Sequence, residues 1–502
     1  MAASPNLQDS LPAPSADRSF YGHPRGLATL FFTEMWERFS YYGMRALLIL
    51  FMTAPVEKGG LGFDVAKGGA VYGFYTAMVY LLCLGGGWVA DRITGQRRSV
   101  LYGGILISIG EFCLFTPSLM TFWIGLVLLM LGTGLLKPNV STIVGQLYAQ
   151  NDPRRDSGFS IFYMGINLGA FLSPLACGWV GQNISWRLGF GLAGLGMILG
   201  LIQYVLGYKH LGEAGLHPAS TGDVAEDRRQ KRKGAMAGIG LLAILGVCGA
   251  LGAAGIIHIT PELIFDALGY VLLGVSVAVF AWLIFGAGWT TIERKRAVAI
   301  LVLFVASAIF WATYEQAGSS LTLFADRDTN CQLLGFAYPS SWFQSVQPIF
   351  VIAFAPVFAW LWLALRKREP SLPGKFALGL LFGGVAFLLL VPAAQVAMHG
   401  ARVSMWWLTG CYLLQTFGEL CLSPIGLSAM TKLAPARLGG FIMGLWFVSI
   451  SIGDLLAGKA GSLFESMALP TLFGANAAIA LAACVVLVLL IRPTVKMMSG
   501  VK

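Results

Sequence analysis

The sequence predicts an all-α polytopic membrane protein built as two six-helix bundles plus two additional transmembrane helices. Three observations predict it. Only 12% of the 502 residues are charged against 57% hydrophobic, with a mean hydropathy of +0.73, too few charges to cover a water-facing surface of that size. The apolar residues fall in blocks of about 20, the length that crosses a hydrocarbon core of about 30 Å. Six blocks precede the one long polar interruption; two charge-poor blocks and then six more follow it.

Taken in order, a polar, Pro- and Ser-rich tail (1–26) has no apolar h-region, so no cleavable signal is expected and the first span directs insertion. The first bundle (27–208) places spans at 27–52, 69–90, 99–115, 120–147, 158–181 and 187–208. The linker (209–234) carries Asp223-Val-Ala-Glu-Asp-Arg-Arg-Gln-Lys-Arg-Lys233 and reads as cytoplasmic. The additional pair (235–286) spans 235–257 and 263–286. The second bundle (287–491) places spans at 297–325, 342–365, 376–398, 404–431, 439–464 and 470–491, before a tail at 492–502. The 63 glycines suit helices that pack closely in lipid.

The net charge of +10 is topological. Of the 34 Lys and Arg, 25 fall on the side of the N-terminus and four on the other (Lys58, Lys67, Arg327, Arg402), with five within or at the edges of spans. That split is positive-inside, with both termini cytoplasmic and the bilayer, not a nucleic acid, as the partner. The eight cysteines are scattered without C-x-x-C spacing and read as small packing residues; no metal and no cofactor are expected.

Charges inside a bilayer are costly and face cavities, so they mark function. The first span has Glu34, Glu37, Arg38, Tyr41, Tyr42 and Arg45; at about 100° per residue all six share one face. Such an arc lines an aqueous cavity or packs in an internal ion-pair network. Later spans add Lys137 before Pro138, Tyr163 and Asn167 four apart, Trp311, Tyr314 and Glu315 within about a turn, and Glu419 and Ser423 four apart. Prolines 138 and 424 free backbone carbonyls, which membranes tolerate where a cavity is lined. Two cations and two acids suit a ligand of both charges. Glu111, Asp454 and Lys459 read as structural ion pairs.

Two six-helix halves with a midplane site between them are a transporter plan. The loop Gly86-Gly87-Trp-Val-Ala90-Asp91-Arg92-Ile-Thr-Gly95-Gln-Arg97-Arg98 resembles the G-x-x-x-D-R-x-G-x-R-R loop of the major facilitator superfamily, with one extra residue between Arg92 and Gly95. Asp91 and Arg92 are the candidate gating residues.

Glu34-x-x-Glu37-Arg38-Phe-x-Tyr41-Tyr42 is similar to the E-x-x-E-R-F-x-Y-Y motif of proton-dependent oligopeptide transporters. Phe159-Ser-Ile-Phe-Tyr163-Met-Gly-Ile-Asn167 resembles their fifth-helix signature, and Phe310-Trp311-x-x-Tyr314-Glu315-Gln and Gly418-Glu419-x-x-x-Ser423-Pro their seventh and tenth core helices. The additional pair at 235–286 resembles the fourteen-helix bacterial members. The resemblance implies import of di- and tripeptides by proton symport and alternating access. It suggests Arg45 and Lys137 for the peptide carboxylate, Glu419 with Asn167 for the amino terminus, and Tyr41, Tyr80, Tyr163, Trp311 and Trp446 for side-chain pockets, with Ser423 beside Glu419. Two departures are Gln347 before Pro348, where the family often has Asn, and a second span without the histidine of mammalian relatives.

A carboxylate is therefore the expected proton carrier. A buried Glu beside Arg is held ionised; with the Arg engaged elsewhere, desolvation favours the neutral form. A peptide carboxylate at Arg45 would compete with Glu315, so peptide and proton would bind cooperatively. The Glu34, Glu37 and Arg38 cluster is the second candidate. The same fold could import another small anion or zwitterion, such as nitrate or an amino acid. An enzyme would need a nucleophile with its base, a metal cluster or a phosphate-cradling loop, and none is present in the sequence.

Overall fold

The computed structural model describes residues 17–149, 152–218, 260–434 and 438–499, with 227–229, 231–232 and 234 of the linker and 236 just beyond it. The described residues form thirteen long helices: α1 (Arg25–Thr53), α2 (Val65–Val89), α3 (Gln96–Phe115), α4 (Leu119–Gln146), α5 (Arg155–Asn183), α6 (Trp186–Leu206), α7 (Pro261–Phe285), α8 (Thr291–Tyr314), α9 (Val346–Leu365), α10 (Leu372–Met398), α11 (Met405–Leu433), α12 (Gly439–Ser462) and α13 (Leu469–Met497). Eleven described segments are long and apolar enough to cross a membrane. Helix α1 stands outside that set because Glu34, Glu37, Arg38 and Arg45 interrupt its apolar run. The thirteen helices coincide with thirteen of the fourteen expected spans. The span expected at 235–257 lies outside the described residues apart from Met236.

Local chemistry explains the element ends. The Asp17 carboxylate accepts from the backbone N–H of Arg25 at 2.7 Å and of Ser19 at 2.9 Å. Those donors, Arg25 first, hold its pKa at about 2. Thr290 and Glu293 form a reciprocal capping box at the start of α8, satisfying donors that the first turn leaves open. Outside the membrane, Thr329–Asn330 pairs in parallel with Val403–Ser404, and Gln332–Leu333 forms a short hairpin with Phe336–Ala337.

Two features depart from continuous α-helix. The end of α2 continues as a π-helical turn over Ala90–Thr94, closed by Gly95 at φ +78°. A π turn accommodates one extra residue, which is where this loop exceeds the family pattern, and it places Asp91 and Arg92 on helix instead of in a loop. The expected continuous span 297–325 also breaks. Helix α8 passes into a 3₁₀ turn at Glu315–Gly318 and resumes as a short helix, Ser320–Arg327. Gly318 is required there: a Cβ would stand 2.8 Å from the Nε of Arg45 and against the Tyr72 hydroxyl.

The described chain divides into two compact units that cut across the expected six-helix halves. One takes the residues up to Gly43, Leu82–Ser173 and those from Phe190 into the linker; the other takes Met44–Leu81, Pro174–Gly189 and the residues from Thr260 onward. In the first, α3 and α4 meet through glycines. A Cβ on Gly103 would lie 2.6 Å from the carbonyl oxygen of Gly132, and one on Gly125 2.8 Å from that of Gly110. The contact is thus backbone on backbone, the small-residue packing expected in lipid.

In the second unit, the start of α2 packs on the end of α12 in the same way. A Cβ on Gly73 would lie 2.8 Å from the Cα of Gly458, and Ser451 donates to the carbonyl of Ala77 at 3.0 Å. Residues 65–81, which make this contact, group with the later chain. Gly458→Val is expected to destabilise by about 1–3 kcal/mol, the usual range for overpacking, relative to Gly269→Val, whose added Cβ meets nothing within 4 Å. Thermal unfolding in detergent checks this; equal midpoints would mean that the α2–α12 contact is loose.

Candidate functional site

In the second unit, Arg45 on α1 and Glu315 on the 3₁₀ turn form a buried ion pair. The guanidinium Nη2 stands 2.5 Å from the Glu315 Oε2, and the residues are only 5% and 3% exposed. Arg45 also donates from Nε to the Tyr72 hydroxyl at 2.6 Å. A guanidinium is suited to such a place because its several donors can be shared among fixed acceptors. Burial makes the pair sensitive: removing one partner strands the other charge.

The break in α8 supplies the rest of this constellation. Tyr314, beside Glu315, donates its hydroxyl to the Oε2 of Glu419 on α11 at 2.6 Å. The Thr313 carbonyl, where α-helical bonding gives way to 3₁₀, accepts from Gln415 at 3.0 Å. Gln415 in turn accepts from Gln347 at 2.8 Å. The glutamine that departs from the family pattern is thereby engaged with α11. Gln316 donates to Asn476 on α13 and accepts from Ser320, both at 2.8 Å. Of the two acids expected in this half, Glu315 thus sits on the turn and Glu419 is held by the adjacent Tyr314.

Trp311 and Tyr314 lead into the turn, and other aromatic residues of this unit pack in its apolar core. Trp311 packs edge-on against Tyr314 at 5.3 Å and is 6% exposed; its indole Nε1 has no hydrogen-bond partner among the described residues. Tyr80 stacks on Phe447 at 6.5 Å, and Trp446 meets Phe376 edge-on at 6.2 Å within the apolar core. Ser423 is half-buried, one turn after Glu419.

The first unit holds the other charged cluster. Arg38 lies 3.3 Å from Glu34 and chelates Glu37 through Nε and Nη2, the latter at 2.7 Å; all three are buried. The Arg38 guanidinium also lies 5.0 Å from the Tyr41 ring centre and 6.0 Å from that of Tyr42, a cation–π arrangement. One oxygen of Glu34 has no hydrogen-bond partner among the described residues. Lys137 on α4 is half-buried and interacts electrostatically with Glu34, Glu37, Arg38 and Cys83. Asn167 is buried and donates to the Tyr163 carbonyl at 3.0 Å, while Tyr163 is exposed. Glu111 accepts from Ser40 at 3.1 Å.

At the π turn, Asp91 accepts from Gln96 at 2.8 Å. Arg97 clamps the beginning of the linker, from Nε to the Ala214 carbonyl at 2.6 Å and from Nη2 to that of Gly212.

The structure therefore brings Arg45, Glu315 and, through Tyr314, Glu419 into one connected network, and groups Lys137 with Glu34, Glu37 and Arg38. Sequence reasoning missed Tyr72 and Gln415. A signal existed for each: Tyr72 is a polar-tipped aromatic in an apolar span, and Gln415 precedes Glu419 by four residues on α11.

Known proteins resemble this chain over most of its length. The sequence profile of the POT family matches residues 97–229 and 258–475. The chain is 42% identical over 488 residues to the uncharacterized transporter YclF of Bacillus subtilis, covering 96% of this chain and 97% of that one. It is 41% identical over 516 residues to the peptide transporter YePEPT of Yersinia enterocolitica, with 98% and 99% covered. It is 35% identical over 494 residues to a di-/tripeptide transporter of Lactococcus lactis, with 97% and 99% covered. The crystal structure of peptide transporter POT in complex with sulfate matches with a TM-score of 0.91 at 42% identity, over 98% of both chains.

Proposed function

This chain belongs to the POT family of membrane transporters, and from that premise we propose that it imports di- and tripeptides together with protons. The buried Arg45–Glu315 pair carries the reading. A peptide carboxylate that reaches the Arg45 guanidinium takes the place of Glu315 there, and a carboxylate left without its cation in a desolvated setting favours taking a proton. Proton and peptide then bind together, which is the thermodynamic requirement of symport. Tyr314 ties that turn to Glu419, so the residue that handles the proton is hydrogen-bonded, through its neighbour, to the acid assigned to the peptide amino terminus.

In the proposal, Lys137 assists with the carboxylate and Asn167 with the amino terminus. Tyr41, Tyr80, Tyr163, Trp311 and Trp446 shape side-chain preference, with Ser423 beside Glu419. Glu34, Glu37 and Arg38 form a second proton-handling group, and Asp91 and Arg92 a gate at the π turn. The covalent organisation is two six-helix bundles, 27–208 and 287–491, joined by the linker 209–234 and the additional pair 235–286. The location proposed is the inner membrane, and the basic bias supports both termini in the cytoplasm. The reading is of a carrier that performs no covalent chemistry.

The experiment is uptake of labelled dialanine by the purified protein in liposomes. Accumulation above the outside concentration is expected only with an inward-directed proton gradient. Gradient-driven uptake of free alanine or nitrate with dialanine ignored would overturn the peptide reading in favour of a small-anion or amino-acid importer.

A further inference from the structure

Away from the charged networks, the second unit carries a groove on its outer surface, framed by α8, α12 and α13, with a volume of about 210 Å³. Its walls are apolar, with Ile309, Leu463 and Ile479 among them, and Leu456, Ala475 and Ile479 are exposed along it.

Polar groups stand at defined places on this wall. Lys459 lies on the rim, with its side chain 56% exposed, three residues from the end of α12 at Ser462. The carboxylate facing it is Asp266 on α7, at 3.9 Å, beyond hydrogen-bond distance. Ile479 lies ten residues into α13, which begins at Leu469, about 15 Å along the helix. The groove thus runs from a cation near the ends of membrane-crossing helices towards their middle. A phospholipid has that distribution: phosphate at the interface, acyl chain below it.

We propose that the groove binds one acyl chain of a phospholipid with the headgroup phosphate on Lys459. The occupied groove braces the turn that carries Glu315, because Asn476 in its wall accepts the hydrogen bond from Gln316. The lipid site stands independently of the identity of the transported substrate.

The test titrates the purified full-length protein in detergent with dioleoyl phosphatidylglycerol and follows it by native mass spectrometry and thermal unfolding. One lipid is expected to persist per chain and to raise the unfolding midpoint, since a ligand that binds only the folded state stabilises it. Lys459→Ala is expected to bind about fivefold more weakly, the effect of one interfacial cation, while Lys459→Arg keeps wild-type affinity. Ala475→Trp, at an exposed position, fills the groove and is expected to abolish retention without lowering the lipid-free midpoint. Millimolar glycerol phosphate is expected not to displace the lipid. Unchanged affinity in both Lys459→Ala and Ala475→Trp overturns the proposal. So does displacement by glycerol phosphate, which would reduce the site to a surface anion contact, or equal retention of diacylglycerol, which would remove Lys459 from it.

Discussion

Glu315→Gln is expected to abolish proton-driven accumulation of dipeptide in liposomes while leaving exchange of labelled for unlabelled peptide measurable. Glutamine keeps the volume and an acceptor oxygen opposite Arg45, which lies 2.5 Å from the present carboxylate, but it cannot be ionised or take up a proton. The binding geometry is largely kept while the link between occupancy and protonation is cut. With a gradient of about one pH unit and one proton per peptide, the wild type can reach roughly tenfold accumulation, because each 1.4 kcal/mol is a factor of ten. The variant is expected to stop near onefold. Wild-type accumulation in the variant would shift the coupling role to Glu34, Glu37 and Arg38, and Glu37→Gln would then be the variant that uncouples.

Much of the fold was legible because a membrane span is a length-and-composition signal, and thirteen of the fourteen expected spans recur as helices. The polar face of α1 was legible for a related reason: six polar or aromatic residues on one arc have no place in lipid. What periodicity could not reveal was the partner of each charge. Arg45 and Glu315 are separated by 270 residues, and helices apolar around most of their circumference carry little signal about which side meets which neighbour. The break at Glu315 was hidden as well. Glu315-Gln316-Ala317-Gly318 holds no strong breaker, and the approach of Tyr72 and Arg45 that requires glycine at 318 is visible only in the fold. The backbone contact between Gly73 and Gly458, within the second unit, was not announced by two glycines so far apart in sequence.

The buried pair also makes a prediction that separates electrostatics from packing. Arg45→Met is expected to destabilise the protein by about 3–5 kcal/mol, the range for stranding one buried charge. It leaves the Glu315 carboxylate without the guanidinium and the Tyr72 hydroxyl without the Nε donor. Arg45→Met combined with Glu315→Met removes both charges in favour of flexible apolar side chains. It is expected to recover most of that loss, since apolar replacement of a whole buried pair is often neutral or stabilising. Thermal unfolding of the two variants and of Glu315→Met closes a double-mutant cycle, and a coupling energy of about 2 kcal/mol or more is expected from residues in direct contact. The double variant should nevertheless transport no peptide against a gradient. Stability would then be restored without coupling, which is the behaviour of a pair kept for exchange of partners and not for strength. If Arg45→Met were as stable as the wild type, Glu315 would have another counter-charge, and a peptide carboxylate arriving at Arg45 would no longer have a reason to release it.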